Sequence, residues 1–234
     1  MSRSIYIKIL MIKAIIFDLD GTLVDSVDYH TEAWVKAFQK YGYDFSFDRL
    51  RQQIGKGSEF IIGELLTTEE AEKLESDIAG YRKQYYQENL LSKVQPFPQV
   101  KELFQKIKAD GLQIVLASSA RNETIEHYKQ LLKIEDLIDG ATSTDDVEKS
   151  KPEPDIFQSA LKKLDNISTE EIIVVGDSPY DAIAAGKISL RTIGVLCGGF
   201  SRETLSEAGC MAIYQDPADL LDNYPKFMEI DEVG

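Results

Sequence analysis

Four runs of aliphatic and β-branched residues, 12–17, 113–117, 172–176 and 192–196, stand out from a polar background. They have the length and composition of buried strands. Two weaker runs lie at 140–143 and 211–214. Between them, apolar residues recur at helical spacing: Val100, Leu103, Phe104 and Ile107 in one stretch, and Ile156, Phe157, Ala160, Leu161 and Leu164 in another. Asn122 and Ser201 stand where caps of helices that follow strands are expected. Strands apolar on both faces, alternating with amphipathic helices, predict an α/β fold: a Rossmann-like doubly wound parallel sheet, covered on both sides.

Residues 27–95 break the alternation and read as helices alone. Ala33, Trp34, Ala37, Phe38 and Tyr41 form one apolar stripe. A long helix over 69–91 follows a cap at Thr67 or Thr68. The predicted organisation is therefore a core made of 1–26 and 96–234, with an all-helical cap domain, 27–95, inserted after the first strand. Pro96-Phe97-Pro98 is a rigid re-entry point suited to a hinge. Residues 1–10 read as an upstream extension the fold does not need, or as a short strand. The acidic end, 229–234, reads as a frayed terminus.

Composition narrows the partners. The net charge of −14 argues against a nucleic-acid surface or an anionic membrane, both of which want basic patches. It leaves room for a phosphorylated small molecule, because a metal and one or two lysines reverse the sign locally. Cys197 and Cys210 have no metal or redox spacing and fit free thiols in a reducing cytoplasm. The apolar stretch 5–16 is cut by Lys8 and Lys13 and is too short to span a bilayer. Oligomeric state is not legible.

The chemistry concentrates at strand ends. In Phe17-Asp18-Leu19-Asp20-Gly21-Thr22, an apolar strand delivers two carboxylates onto a glycine turn, at the sheet edge where open α/β folds bind ligands. Two like charges so close are costly to bury, and a divalent cation is the natural offset. Such a pair suits phosphoryl transfer: one carboxylate attacks phosphorus, the other protonates the leaving oxygen and later deprotonates water. Ser118 ends the next strong strand, and its hydroxyl, the adjacent Ser119 and the backbone amides of that turn can hold phosphoryl oxygens. Lys151, set before Pro152 and Pro154, is placed by its turn and can neutralise charge on a phosphate. Asp177 follows the strand 172–176 and would complete an oxygen-rich Mg²⁺ site, with Asp181 one helical turn on to hold a metal-bound water or orient Lys151.

These four motifs, in this order, resemble the haloacid dehalogenase-like hydrolase superfamily over nearly the whole chain. The resemblance implies that Asp18 is the nucleophile and Asp20 the general acid/base. It further implies that Mg²⁺ is held by the Asp18 side chain, the Asp20 backbone carbonyl and Asp177. An acid at position 20 points to phosphoryl transfer, since the dehalogenases lack one there. The stretch from Asp25 to Trp34, and Leu116-Ala117-Ser118 with Asn122, resemble the β-phosphoglucomutase-like subgroup, which includes sugar-phosphate phosphatases. His30 would contact Asp20 or substrate when the cap closes, and Gly55, Lys56, Arg121 and Asn122 are candidate cap or substrate contacts. Where the mutase has an arginine three residues after the cap glycine, this chain has Ser58. Lys56 replaces that bidentate clamp only in part, as a point charge. The expected activity is a Mg²⁺-dependent phosphatase for a small metabolite such as a sugar phosphate. The alternatives are a phosphomutase and a non-catalytic regulatory protein.

Overall fold

The computed structural model describes residues 11–164 and 166–228. The expectations for 1–10 and 229–234 lie outside the described residues. Eight strands are seen among them: β1 (Ala14–Phe17), β2 (Val24–Asp25), β3 (Gln95–Pro96), β4 (Gln113–Ala117), β5 (Gly140–Thr142), β6 (Ile172–Gly176), β7 (Arg191–Val195) and β8 (Cys210–Tyr214). Six of them form a parallel sheet in the order β5-β4-β1-β6-β7-β8, and β2 pairs antiparallel with β3. Successive strands run outward from β1 to one edge, then return to its other side. The sheet is thus doubly wound, with its topological switch at β1 and β6.

The pleat sorts each strand between two cores. Ile15, Phe17, Ile114, Leu116, Ile173 and Val175 face one way, toward the helix Val100–Ala109 with its Leu103, Phe104 and Ile107. The rings of Phe17 and Phe104 lie 4.9 Å apart, centroid to centroid. Ala14, Ile16, Val115, Ala117, Ile172 and Val174 face the other way, onto Ile156, Phe157 and Ala160 of the helix Asp155–Leu161 and onto Ala184 and Ala185. Burial on both faces is why these strands carry no polar alternation.

Strand and helix ends differ from expectation by a residue or two. The run 192–196 becomes Arg191–Val195, and Leu196 instead opens a short 3₁₀ turn, Leu196–Gly198. Asn122 is not a cap. Arg121, in extended conformation, occupies the cap position of the helix Asn122–Leu132, and the Asn122 N–H donates to the Asp145 carboxylate at 3.2 Å. Ser201 caps as expected, accepting from the Thr204 N–H.

Between β2 and β3 the described elements are helical: Val27–Lys40, Phe47–Arg51, Ser58–Leu65 and Thr68–Asn89, then a 3₁₀ turn. Val27, Trp34, Ala37, Phe38, Leu50, Ile61, Ile62 and Ile78 form a separate apolar cluster there. Pro96 lies in the ribbon, opposite Val24, and the Phe97 N–H donates to the Leu23 carbonyl at 3.0 Å. No helix among the described residues is long and apolar enough to cross a membrane.

Thr67 begins the longest helix with a reciprocal capping box: its hydroxyl accepts from the Glu70 N–H, and the Glu70 carboxylate accepts from the Thr67 N–H at 3.0 Å. Thr67→Ala should lower unfolding free energy by about 1 kcal/mol, read as a lower denaturant midpoint at unchanged slope.

Candidate active site

β1 hands the chain to Asp18, whose N–H donates to the Val175 carbonyl of β6 at 2.9 Å. Asp177 leaves β6 beside it, so adjacent strands deliver two carboxylates to the switch point of the sheet. Asp181, in the first turn of the helix Pro179–Gly186, completes a cluster in which one oxygen from each acid lies within 4.8 Å of the others. All three are buried. The Thr22 hydroxyl reaches Asp18 Oδ2 at 3.3 Å and Asp177 Oδ1 at 3.1 Å.

Lys151 enters from the opposite turn. It is only 2 % exposed, and its Nζ meets Asp18 Oδ1 at 2.5 Å, Asp181 Oδ1 at 2.7 Å and the Ala117 carbonyl at 3.3 Å. The contacts to Asp18 and Ala117 are hydrogen bonds, and the one to Asp181 is a buried ion pair. Burial pushes the ammonium's pKa down, but Asp18 and Asp181 outweigh it and hold it above the usual lysine value. Burial pushes Asp18 above the usual carboxylate range against the pull of Lys151, and burial with the neighbouring Asp18 and Asp181 does the same to Asp177. Three buried carboxylates face one ammonium. One divalent cation would cancel that excess, and an all-oxygen donor set suits Mg²⁺. The backbone leaves room for such a centre. A Cβ at Gly198 would stand 1.7 Å from Asp177 Oδ2, and one at Gly21 (φ +82°) would stand 2.4 Å from the same atom.

Asp20 has the opposite surroundings. Its Oδ1 accepts from the Ser26 hydroxyl (2.7 Å), the Tyr128 hydroxyl (3.0 Å) and His30 Nε2 (2.8 Å). Burial raises the Asp20 carboxyl, but His30, Ser26 and Tyr128 together overcome it and hold it at about 2. Arg82 from the long helix lies 2.7 Å from His30 Nδ1. A guanidinium only donates, so Nδ1 accepts and the proton sits on Nε2, directed at Asp20. Burial lowers the His30 pKa, helped by Arg82 and opposed by Asp20. His30 stacks on Tyr86 (4.1 Å, 16°), and the hydroxyls of Tyr86 and Tyr128 are 2.5 Å apart. Tyr128 gives its proton to Asp20, so Tyr86 donates to Tyr128.

Both acids line a cavity of about 220 Å³ between the sheet and the helical segment. His30, Gly55, Lys56, Ser119, Arg121 and Lys151 line it too, as do Trp34, Ser58, Arg82 and Lys83. Ser118 lies beneath that surface, its Oγ accepting from the Ala120 N–H at 3.0 Å. Ser119 lines the cavity, and its Oγ is buried with no hydrogen-bond partner. Asn122 is exposed and outside the lining. Lys56 is already engaged: Nζ pairs with Glu64 and Gln53 of its own segment and lies over the Tyr180 ring of the core. Arg82, Tyr86 and Tyr128 escaped the sequence reading, because an aromatic or arginine at helical spacing reads first as packing.

The family model described as "Haloacid dehalogenase-like hydrolase" matches residues 15–195. The pyrophosphatase PpaX of Bacillus mycoides is 28 % identical over 79 % of this chain and 83 % of its own length. A phosphorylated carbohydrates phosphatase of Thermotoga maritima is 27 % identical over 90 % of this chain and 97 % of its own. The crystal structure of a hydrolase from Pseudomonas syringae superposes with a TM-score of 0.80 at 30 % identity, covering 92 % of this chain and 98 % of that one.

Gly198→Ala should weaken calorimetrically measured Mg²⁺ binding by roughly tenfold or more, since a Cβ there displaces Asp177. Gly186→Ala, where a Cβ meets nothing within 4 Å, should leave binding unchanged.

Proposed function

This chain belongs to the haloacid dehalogenase-like hydrolase family, and from that footing we propose that it is a Mg²⁺-dependent phosphatase of a small phosphorylated metabolite, a sugar phosphate or a similar monoester. The carrying observation is that two carboxylates on one cavity have opposite settings: Asp18 sits on the Lys151 ammonium, and Asp20 is held by three donors. Acids separated in this way take separate roles.

In this reading Asp18 is the nucleophile. Its carboxylate oxygen bonds to phosphorus as the bond to the leaving oxygen breaks, giving an aspartyl phosphate. Asp20 supplies the proton to that oxygen. A phosphate dianion drawn up beside it raises its pKa and lets it carry a proton in. In the second half Asp20 is the carboxylate seen here, and it takes a proton from the water that attacks the aspartyl phosphate. Lys151 offsets negative charge on Asp18 and on the phosphoryl oxygens, and the Ser118 hydroxyl, Ser119 and the backbone amides of their turn would donate to those oxygens. Asp18, Asp177 and the Asp20 backbone carbonyl would hold Mg²⁺, with Asp181 supporting them, and the cation supplies charge neutralisation at the phosphate when bound. Residues 27–95 act as the cap that keeps bulk water out.

Two observations favour a phosphatase over a mutase. Ser58, not an arginine, stands on the cavity wall, and Lys56 is tied to Glu64. A second phosphate therefore lacks a bidentate anchor at that place. Relatives named for pyrophosphate and phosphorylated carbohydrates accord with a small substrate, as does the modest cavity.

A phosphate-release screen over hexose phosphates, other small monoesters and pyrophosphate, with Mg²⁺ and with chelator, should find hydrolysis only with the metal. Asp18→Asn should lower the rate by roughly a thousandfold or more. Substantial activity in that variant overturns the nucleophile. Net conversion of β-glucose 1-phosphate to its isomer, without free phosphate, would establish the mutase.

A further inference from the structure

We propose that Glu59 is a positioning residue for Lys151, so that the ammonium on the nucleophile is set in place only while the loop 53–57 and the helix start that carries Glu59 are docked on the core. The inference rests on the phosphatase reading above and adds to it a residue and a coupling.

Two hydrogen bonds cross from the helical segment to the turn that carries Lys151. The Ser150 N–H donates to Glu59 Oε1 at 3.0 Å, and the Gly57 N–H donates to the Lys151 carbonyl at 3.0 Å. They grip the backbone on either side of the Ser150–Lys151 peptide, and both residues are buried. The fit is close enough to demand glycine: a Cβ on Gly57 would lie 2.2 Å from Ser150 Cβ and 2.5 Å from Glu59 Oε2. The same loop also presses on the second support of Lys151. Gly55 has φ +107°, and a Cβ there would lie 2.7 Å from Ser178 Oγ. Ser178 donates through Oγ (2.6 Å) and N–H (3.1 Å) to Asp181 Oδ2, while Asp181 Oδ1 holds the ammonium. Beside it the Tyr180 hydroxyl donates to the Gln52 carbonyl at 2.7 Å.

Lysine is a point charge on a flexible four-carbon stem, so its ammonium sits where its backbone and its acceptors put it. Here the docked loop touches both determinants. The Glu59 contact is the strongest of them, being a carboxylate on a backbone N–H. Without it the buried Ser150 N–H loses its partner, and the turn moves to find another or leaves the donor unpaired. A carboxylate in the first turn of the helix Ser58–Leu65 also suits the helix dipole. That role alone would affect stability and leave turnover untouched.

The test compares wild type, Glu59→Ala and Glu59→Gln in the full chain, on the best substrate of the screen and by amide hydrogen exchange of the peptide containing Ser150. Glu59→Ala should lower kcat by roughly tenfold, about the loss of one charge-assisted hydrogen bond, with KM within about threefold. Exchange at the Ser150 amide should quicken. Glu59→Gln keeps a carbonyl acceptor and should recover most of both. Three results would each overturn the proposal: unchanged kcat in Glu59→Ala, a loss confined to KM, or a lower kcat with unchanged Ser150 exchange. Gly57→Ala, which forces the loop off Ser150, should reproduce the Ala phenotype and serves if Glu59→Ala does not fold. If wild type releases no phosphate from any compound, the phosphatase reading fails. The exchange comparison still judges the latch, with lost Ser150 protection supporting it and unchanged protection ending it.

Discussion

The arrangement depends on an unbalanced ion cluster: Asp18, Asp177 and Asp181, all buried, around the single ammonium of Lys151. Burying such a set costs free energy, and removing one partner of a buried pair costs more still. The sheet concentrates the acids because β1 and β6 are neighbours and end at the same level. The glycines at 21 and 198 exist to let backbone approach Asp177 where any side chain would collide. Both the fold's switch point and its local sequence thus serve one electrostatic deficit, which the phosphatase reading fills with a divalent cation and the phosphate's own counter-charges.

The second acid is governed from farther away. Asp20 is close to Asp18 in sequence, yet its partners come from 6, 10 and 108 residues along the chain. Arg82 and Tyr86 reach it only through His30 and Tyr128. Because the long helix supplies Arg82 and Tyr86 while Tyr128 belongs to the sheet's own helices, the surroundings of Asp20 are shared between the two parts of the molecule. A neutral His30, fixed in one tautomer by a guanidinium, donates without adding charge.

What could be read from sequence was what is local. The strands, the Asp18–Asp20 pair, and Lys151 ahead of its two prolines each announce themselves within a few residues, through apolar runs, turn glycines and proline restriction. The helical nature of 27–95 was equally legible from its spacing. What escaped depends on long-range partners. Asn122 has the chemistry of a cap, but Arg121 holds the cap position, and the backbone N–H of Asn122 goes to Asp145. Lys56 has the charge for a phosphate, but Glu64 claims it. Tyr128 and Tyr86 stand 42 residues apart, and Glu59 stands 91 from Ser150, so no short window could join them.

The small ribbon of β2 and β3 has an evolutionary corollary. Val24 faces Pro96 and Asp25 faces Gln95, so the chain leaves the sheet and returns to it through adjacent residues. A segment whose two ends meet can be lengthened, shortened or exchanged without altering the order of the six central strands. Descendants of one ancestral sheet can therefore acquire new ligand preferences by trading the part above the ribbon. The acids and the lysine beneath it, inherited together, would hold the chemistry constant through such exchanges.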